Sequence, residues 1–165
     1  SFNTLLDLIE EDQKAAAKYT RSFASLYRAV LQSSKYDLVA LKEELEFLDN
    51  YWRLLKVRFQ ETIELDVKIE ADQYEKLIPP LSLQLLIENA VKHNEASKSN
   101  PLIIRIKTGR DTLTVENQVS PYNNTESTEQ IGLQNLQQRF TALSKPITYG
   151  IVDGKFRVTL PLKSN

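Results

Sequence analysis

The spacing of hydrophobic and polar positions changes in character along this chain near residue 60. Before that point apolar residues recur every three or four positions, the period of one helix face. Phe2, Leu5, Leu6, Leu8 and Ile9 predict a short helix that ends near Glu10-Glu11-Asp12. Asp12 is suited to cap a second helix, and one unbroken, kinked helix fits the same pattern. Tyr19, Phe23, Leu26 and Val30, with Tyr27 and Leu31 beside them, predict that second helix, and Gln32-Ser33-Ser34-Lys35 a turn. Leu41, Leu45, Leu48, Trp52, Leu55 and Phe59 continue the alternation, with a second stripe of Phe47, Tyr51 and Leu54 next to it. A helical hairpin cannot cover two stripes on one of its helices. Either the following domain or a second chain must cover the rest, and a four-helix bundle of two hairpins is the economical solution.

From residue 62 stretches of period two appear between further helical ones. Ile63, Leu65, Val67 and Ile69 alternate with Glu64, Asp66, Lys68 and Glu70, as in a half-exposed strand. Tyr74 to Ile78 reads as a short turn or helix. Pro79-Pro80 opens a helix whose Leu83, Ile87, Ala90 and Val91 share a buried face. Leu102, Ile104 and Ile106 form a strand, Thr108 to Asp111 a turn, and Leu113 and Val115 the next strand. Ser120 to Gln130 has no apolar pattern and reads as a mobile loop. Gly132, Leu133, Leu136, Phe140 and Leu143 open and fill an amphipathic helix ended by Pro146. Residues 147–152 and 156–162 are strands joined by Asp153-Gly154, a strong hairpin signal. The fold expected is α+β: a helical hairpin, then a two-layer α/β sandwich with a mostly antiparallel sheet.

Composition narrows the chemistry. The 165 residues carry a net charge of −1, with no footprint for direct nucleic-acid binding. There is no Cys and one His, so thiol catalysis and a multi-histidine metal site within one chain are excluded. No apolar run is long enough to span a bilayer. The start at Ser1-Phe2-Asn3, without Met, leads to the expectation of a piece of a longer protein.

The candidate chemistry lies at the end of the central helix. Glu88, Asn89, Lys92 and His93 are one turn apart in pairs. An amide oxygen ligates hard cations, and a lysine meets phosphate as a point charge. Spacing alone favours an ordinary Glu88–Lys92 pair on a solvated face and a histidine on the surface or satisfied in the core.

The run Leu86-Ile87-Glu88-Asn89-Ala90-Val91-Lys92-His93 resembles the N-box of LytS-like sensor histidine kinases. Their ATP-binding domain belongs to the superfamily of gyrase, the heat-shock chaperones and MutL. Leu41 to Tyr51 followed by Arg58-Phe59 resembles that family's second bundle helix. Phe2-Asn3-Thr4-Leu5 looks like the residues just after its His-Phe-Leu-Phe-Asn motif, and Asn135 to Phe140 like the helix after its lid. The resemblance implies residues 1–60 as a partial dimerisation and phosphotransfer region, half of a dimeric four-helix bundle. It implies residues 61–165 as the catalytic ATP-binding domain.

The family's site residues carry over position by position. Asn89 would hold Mg²⁺, with Lys92 and His93 along the phosphate and sugar of ATP. Asn117, in Val115-Glu116-Asn117-Gln118-Val119, falls where the family has an Asp that reads the adenine amine; its amide oxygen can accept that hydrogen bond without charge. Gln130-Ile131-Gly132-Leu133 stands where the family has Gly-x-Gly-Leu, so only Gly132 and Leu133 remain, at the start of a helix whose N–H groups could meet phosphate. Val119 and Gln130 replace glycines that let a backbone approach a ligand closely. Leu85 replaces the carboxylate base of related hydrolases, which suits transfer to a histidine better than hydrolysis.

The resemblance also implies a γ-phosphoryl acceptor histidine just upstream of Ser1, leaving no catalytic residue of its own in this chain. It implies a homodimer, a response regulator partner of the LytTR type, and upstream membrane segments that would make this the cytoplasmic portion of an inner-membrane protein. Three alternatives stay open. They are a degenerate module that binds or dimerises without catalysis, an ATP hydrolase of the same superfamily, and a helical scaffold that binds no nucleotide.

Overall fold

The computed structural model describes residues 2–33, 36–119, 126–141 and 146–164. Helices α1 (Phe2–Glu11) and α2 (Gln13–Ser33) meet at Asp12. Its carboxylate accepts the N–H groups of Lys14 and Ala15 at 2.9 and 3.0 Å, the cap its position predicts. Ser34 and Lys35 of the expected turn lie outside the described residues. A short strand β1 (Val39–Ala40) leads into α3 (Leu41–Phe59), where the Glu43 carboxylate accepts the Ala40 N–H at 2.9 Å. Helix α3 stops at Gln60, whose φ is 47°. There the Lys56 ammonium donates to the carbonyls of Gln60 and Ile63.

The remaining elements are β2 (Ile63–Lys68), β3 (Leu77–Ile78), α4 (Ser82–His93), β4 (Leu102–Gly109), β5 (Thr112–Gln118), α5 (Glu126–Thr141), β6 (Thr148–Val152) and β7 (Lys155–Pro161). Two expectations need correction. Part of the stretch read as a short turn or helix is strand β3, because Leu77 and Ile78 pair with Ala40 and Val39, a partner from beyond the local sequence. The loop expected up to Gln130 gives way to helix by Glu126, which no proline or apolar period marks; Ser120 to Thr125 lie outside the described residues, as does Leu143.

The main sheet has the order β2-β4-β5-β7-β6, with β2 and β4 parallel and every other pair antiparallel. A parallel pair needs a long crossover, and α4 lies within it. Asp153 and Gly154 both have positive φ, 52° and 71°, the turn that closes a two-residue hairpin. Leu83 and Ile87 of α4 and Leu136 and Phe140 of α5 are buried in one core with Ile104 and Leu113 of the sheet.

The two stripes of α3 are covered from two sides. Leu41 and Leu48 are buried in the sandwich core, with Trp52, Leu55 and Phe59 packed on it. Leu54 is buried with Tyr19 and Leu26 of α2, and Phe47 and Tyr51 pack on that cluster. The following domain thus covers the first stripe.

The other sheet face carries a row of alternating charge, Asp66, Arg105, Glu116 and Arg157 on adjacent strands. Glu116 is buried there, with the Arg157 Nε donating to it at 3.0 Å and Lys107 and Lys155 nearby. Burial alone would push its carboxyl up; the Arg157 bond and the surrounding cations outweigh this and hold it below the usual range.

Two outcomes follow. Leu48→Ala should cost about 2–5 kcal/mol in urea melts. It should lower the transitions of the hairpin and the sandwich together, followed by Trp52 fluorescence and far-ultraviolet circular dichroism. A carboxyl held low stabilises the fold above its unfolded pKa, and that stability is lost as pH falls through the folded one. Wild type should therefore exceed Glu116→Gln in stability at pH 7, and the gap should shrink as pH falls below about 4.5.

Candidate functional site

Helix α4 starts two residues later than its prolines imply. Leu81 precedes it with φ 63°, a left-handed conformation, and the Ser82 hydroxyl donates to the Pro79 carbonyl at 2.6 Å. No side chain of the Leu81 position caps the first turn. Glu44 does so from α3, accepting the N–H groups of Leu81 at 2.5 Å and Leu83 at 3.1 Å. At the far end the Asn94 amide donates to the Ala90 carbonyl at 2.8 Å.

Burial of Leu83, Ile87 and Ala90 sets the rotation of α4. Two rows at i,i+4 spacing then face different neighbours. Gln84, Glu88 and Lys92 line a cavity of about 600 Å³ shared with α2 and α3, where Tyr19, Phe23 and Arg58 complete much of the wall. Burial there pushes the Tyr51 phenol well above its usual range, so it stays protonated. The other row is Leu85, Asn89 and His93. It begins at a cavity of about 260 Å³ between α4 and α5, lined by Leu81, Leu85, Asn135, Leu136 and Arg139.

The four polar residues at the end of α4 are thus divided. Asn89 and His93 are half-buried on the row that begins with Leu85, whereas Glu88 and Lys92 are exposed on the hairpin side. The Asn89 amide nitrogen is buried and has no hydrogen-bond partner among the described residues. The amide oxygen is the atom that would ligate a hard cation, and by residue type Asn89 fits that role. Among the described residues no group of three or more His, Asp or Glu could hold a metal. A cation here would need further oxygen ligands from a bound molecule.

Asn117 is buried on the inner face of β5, opposite Ile104 of β4 and Phe156 of β7. Its amide donates to the Gln118 carbonyl at 2.9 Å, which directs its nitrogen and leaves the oxygen as the available acceptor. Gly132 does not open a helix; it lies within α5, six residues after Glu126. The helix start, with its unpaired N–H groups, is displaced from the position that the glycine marks. Leu133 is buried in the core beside Leu136 and Phe140. Leu85 places no carboxylate on the Asn89 row.

Sequence reasoning missed two residues here. Glu44 falls three after Leu41 and four before Leu48, so a carboxylate in step with a buried stripe was the available signal. The Arg139 guanidinium of α5 donates to the Pro80 carbonyl at 3.1 Å; nothing in its sequence neighbourhood announced that contact.

Comparison with known proteins bears on the family and the fold. Residues 1–63 match the family model described as histidine kinase. The sensor protein LytS of Staphylococcus haemolyticus is 30% identical over 119 residues, covering 70% of this chain and 20% of that protein. LytS of Streptococcus agalactiae serotype V is 33% identical over 109 residues, covering 65% and 19%. The chain therefore spans about a fifth of the length of the curated relatives it matches. The cytoplasmic segment of the histidine kinase QseC superposes with a TM-score of 0.53 at 17% identity, covering 83% of this chain and 89% of that one. The Acinetobacter baumannii histidine kinase AdeS gives 0.52 at 15% identity, covering 99% and 84%. These two share the fold. With the N-box run on α4 and the bundle-helix run on α3, the sequence relatives settle the family: this chain belongs to the LytS-like sensor histidine kinases of two-component signalling.

Proposed function

We propose that the chain binds ATP with Mg²⁺ between α4, α5 and the inner end of β5. It would serve the transfer of the γ-phosphoryl group to a histidine just upstream of Ser1. The observation that carries this reading is the uncommitted amide of Asn89, half-buried on a helix that its apolar face and Glu44 hold in place. Mg²⁺ would neutralise phosphate charge and join the phosphates to the Asn89 oxygen. His93 shares that row on the sugar side. The Asn117 oxygen accepts from the adenine amine on the face where Ile104 and Phe156 supply apolar neighbours. Gly132 and Leu133 belong to the same helix that borders the phosphates. Lys92 stands between the nucleotide row and the hairpin, where a cation would accompany the phosphoryl group toward the helices that lead to the acceptor.

In the transfer an imidazole nitrogen of the acceptor bonds to the γ-phosphorus, the bond to the bridging oxygen breaks, and ADP leaves. Leu85, apolar where a base would stand, disfavours activation of water instead. The phosphoryl group then passes to an aspartate of a response regulator, here proposed to be of the LytTR type. The working form is a homodimer through the helical region of residues 1–60, with residues 61–165 as the nucleotide domain. No helix among the described residues is long and apolar enough to cross a membrane. The anchor of this cytoplasmic portion would lie in upstream segments.

The absence of glycine at Val119 and Gln130, with Gly132 inside α5, favours a second reading: a module that keeps the fold without catalysis. Titration calorimetry separates the two. The first predicts Mg-dependent ATP binding, weakened about 10-fold to 100-fold by Asn89→Ala. With about 10 upstream residues restored to supply the acceptor motif, it also predicts phosphohistidine that Asn89→Ala abolishes. No binding at millimolar nucleotide establishes the second, and full labelling of Asn89→Ala removes Asn89 as the metal ligand.

A further inference from the structure

We propose that Glu44 is a positioning residue that ties the phosphotransfer hairpin to both helices beside the nucleotide. Through it, α3, α4 and α5 form one mechanical unit. The structural half of this proposal stands on contacts alone; the functional half rests on the reading that α4 and α5 border a nucleotide.

Glu44 occupies a buried position on the α3 stripe, with 3% of its surface exposed. An apolar side chain in step with Leu41 and Leu48 would serve the core at no desolvation cost, whereas a buried carboxylate needs compensation. That compensation comes from the start of α4. Burial pushes the carboxyl up, and the Leu83, Leu81 and Ser82 N–H groups with the charge of Arg139 offset only part of that, so it stays above the usual range. The positive end of the α4 dipole acts with those N–H groups.

The segment it holds is strained. Leu81 has φ 63°, which L side chains rarely adopt and which persists only where the surroundings over-determine it. They do so here from three directions. Glu44 takes the Leu81 N–H, the Ser82 hydroxyl binds the Pro79 carbonyl, and Arg139 of α5 binds the Pro80 carbonyl. Just before this segment β3 pairs with β1, the residues that open α3. Residues 77–83 are therefore gripped by the hairpin on one side and by α5 on the other. A shift of α3 cannot leave the register of α4, and hence Asn89, where it was.

The test compares Glu44→Ala and Glu44→Gln with Leu48→Ala, which damages the same helix but removes none of the joint's hydrogen bonds. Hydrogen exchange in the whole chain without ligand is the first readout. Glu44→Ala should speed exchange in residues 81–86 and, together with them, in residues 133–141, while β4 and β5 stay protected. Faster exchange at 81–86 alone, or uniformly along the chain, overturns the three-helix unit. Mg-ATP affinity by calorimetry is the second readout. Glu44→Ala should weaken it about tenfold, Glu44→Gln less because its amide oxygen still accepts one N–H, and Leu48→Ala by no more than about twofold. Equal losses in Glu44→Ala and Leu48→Ala, or none in Glu44→Ala, overturn the positioning role. Absence of nucleotide binding in the wild type defeats the proposed function and the positioning role that rests on it, and leaves exchange to decide whether the three helices are coupled.

Discussion

The apolar layer between α4 and the sheet constrains everything around it. Leu83, Ile87 and Ala90 bury against a core that includes Ile104, Ile106, Leu113 and Val115. A helix buried along one face has no freedom to rotate about its axis, because turning it by one residue would exchange apolar for polar positions in a close-packed interior. That single constraint separates the polar end of α4 into two rows. It sends Glu88 and Lys92 toward the hairpin and leaves Asn89 and His93 on the separate row that Leu85 begins.

Helix α3 extends the constraint to the N-terminal part of the chain. Its first stripe completes the sandwich core and its second packs on α2, so the helix is shared between two apolar clusters. A helix in that position cannot swing freely. Glu44 adds direction to what the apolar contacts give as adhesion, since hydrogen bonds to defined N–H groups fix register where hydrophobic burial tolerates sliding. The β1–β3 pairing acts in the same sense over two residues. A boundary drawn at residues 60–62 marks where the period of the sequence changes, whereas the packing runs across it.

The opposite sheet face shows how the same fold handles charge without a ligand. Glu116 is covered by its neighbours yet stays ionised, because Arg157, Lys107 and Lys155 surround it on adjacent strands. Asn117, the next residue, points to the helix side and carries no charge. Alternation along one strand thus places a fully compensated anion on one face and a neutral acceptor on the other.

Much of this was legible in the chain itself. A period of three to four in the helical stretches and of two in the strands marked most element types, because side-chain direction follows directly from backbone geometry. Asp12 and Asp153-Gly154 announced a cap and a turn for the same local reason. The end of α4 was recognisable as a run of residue types, as was its family. Tertiary structure alone decided the rest. The pairing that makes Leu77 and Ile78 a strand, the coverage of α3 by the sandwich, and the contacts of Glu44 and Arg139 with residues 80–83 all join positions far apart in sequence. Gly132 lies inside a helix for a related reason: a glycine permits a turn without requiring one, and α5 keeps its helical hydrogen bonds through that position. Local chemistry wrote the elements, while the partners available in space determined which polar groups were satisfied and which, like the Asn89 amide nitrogen, were not.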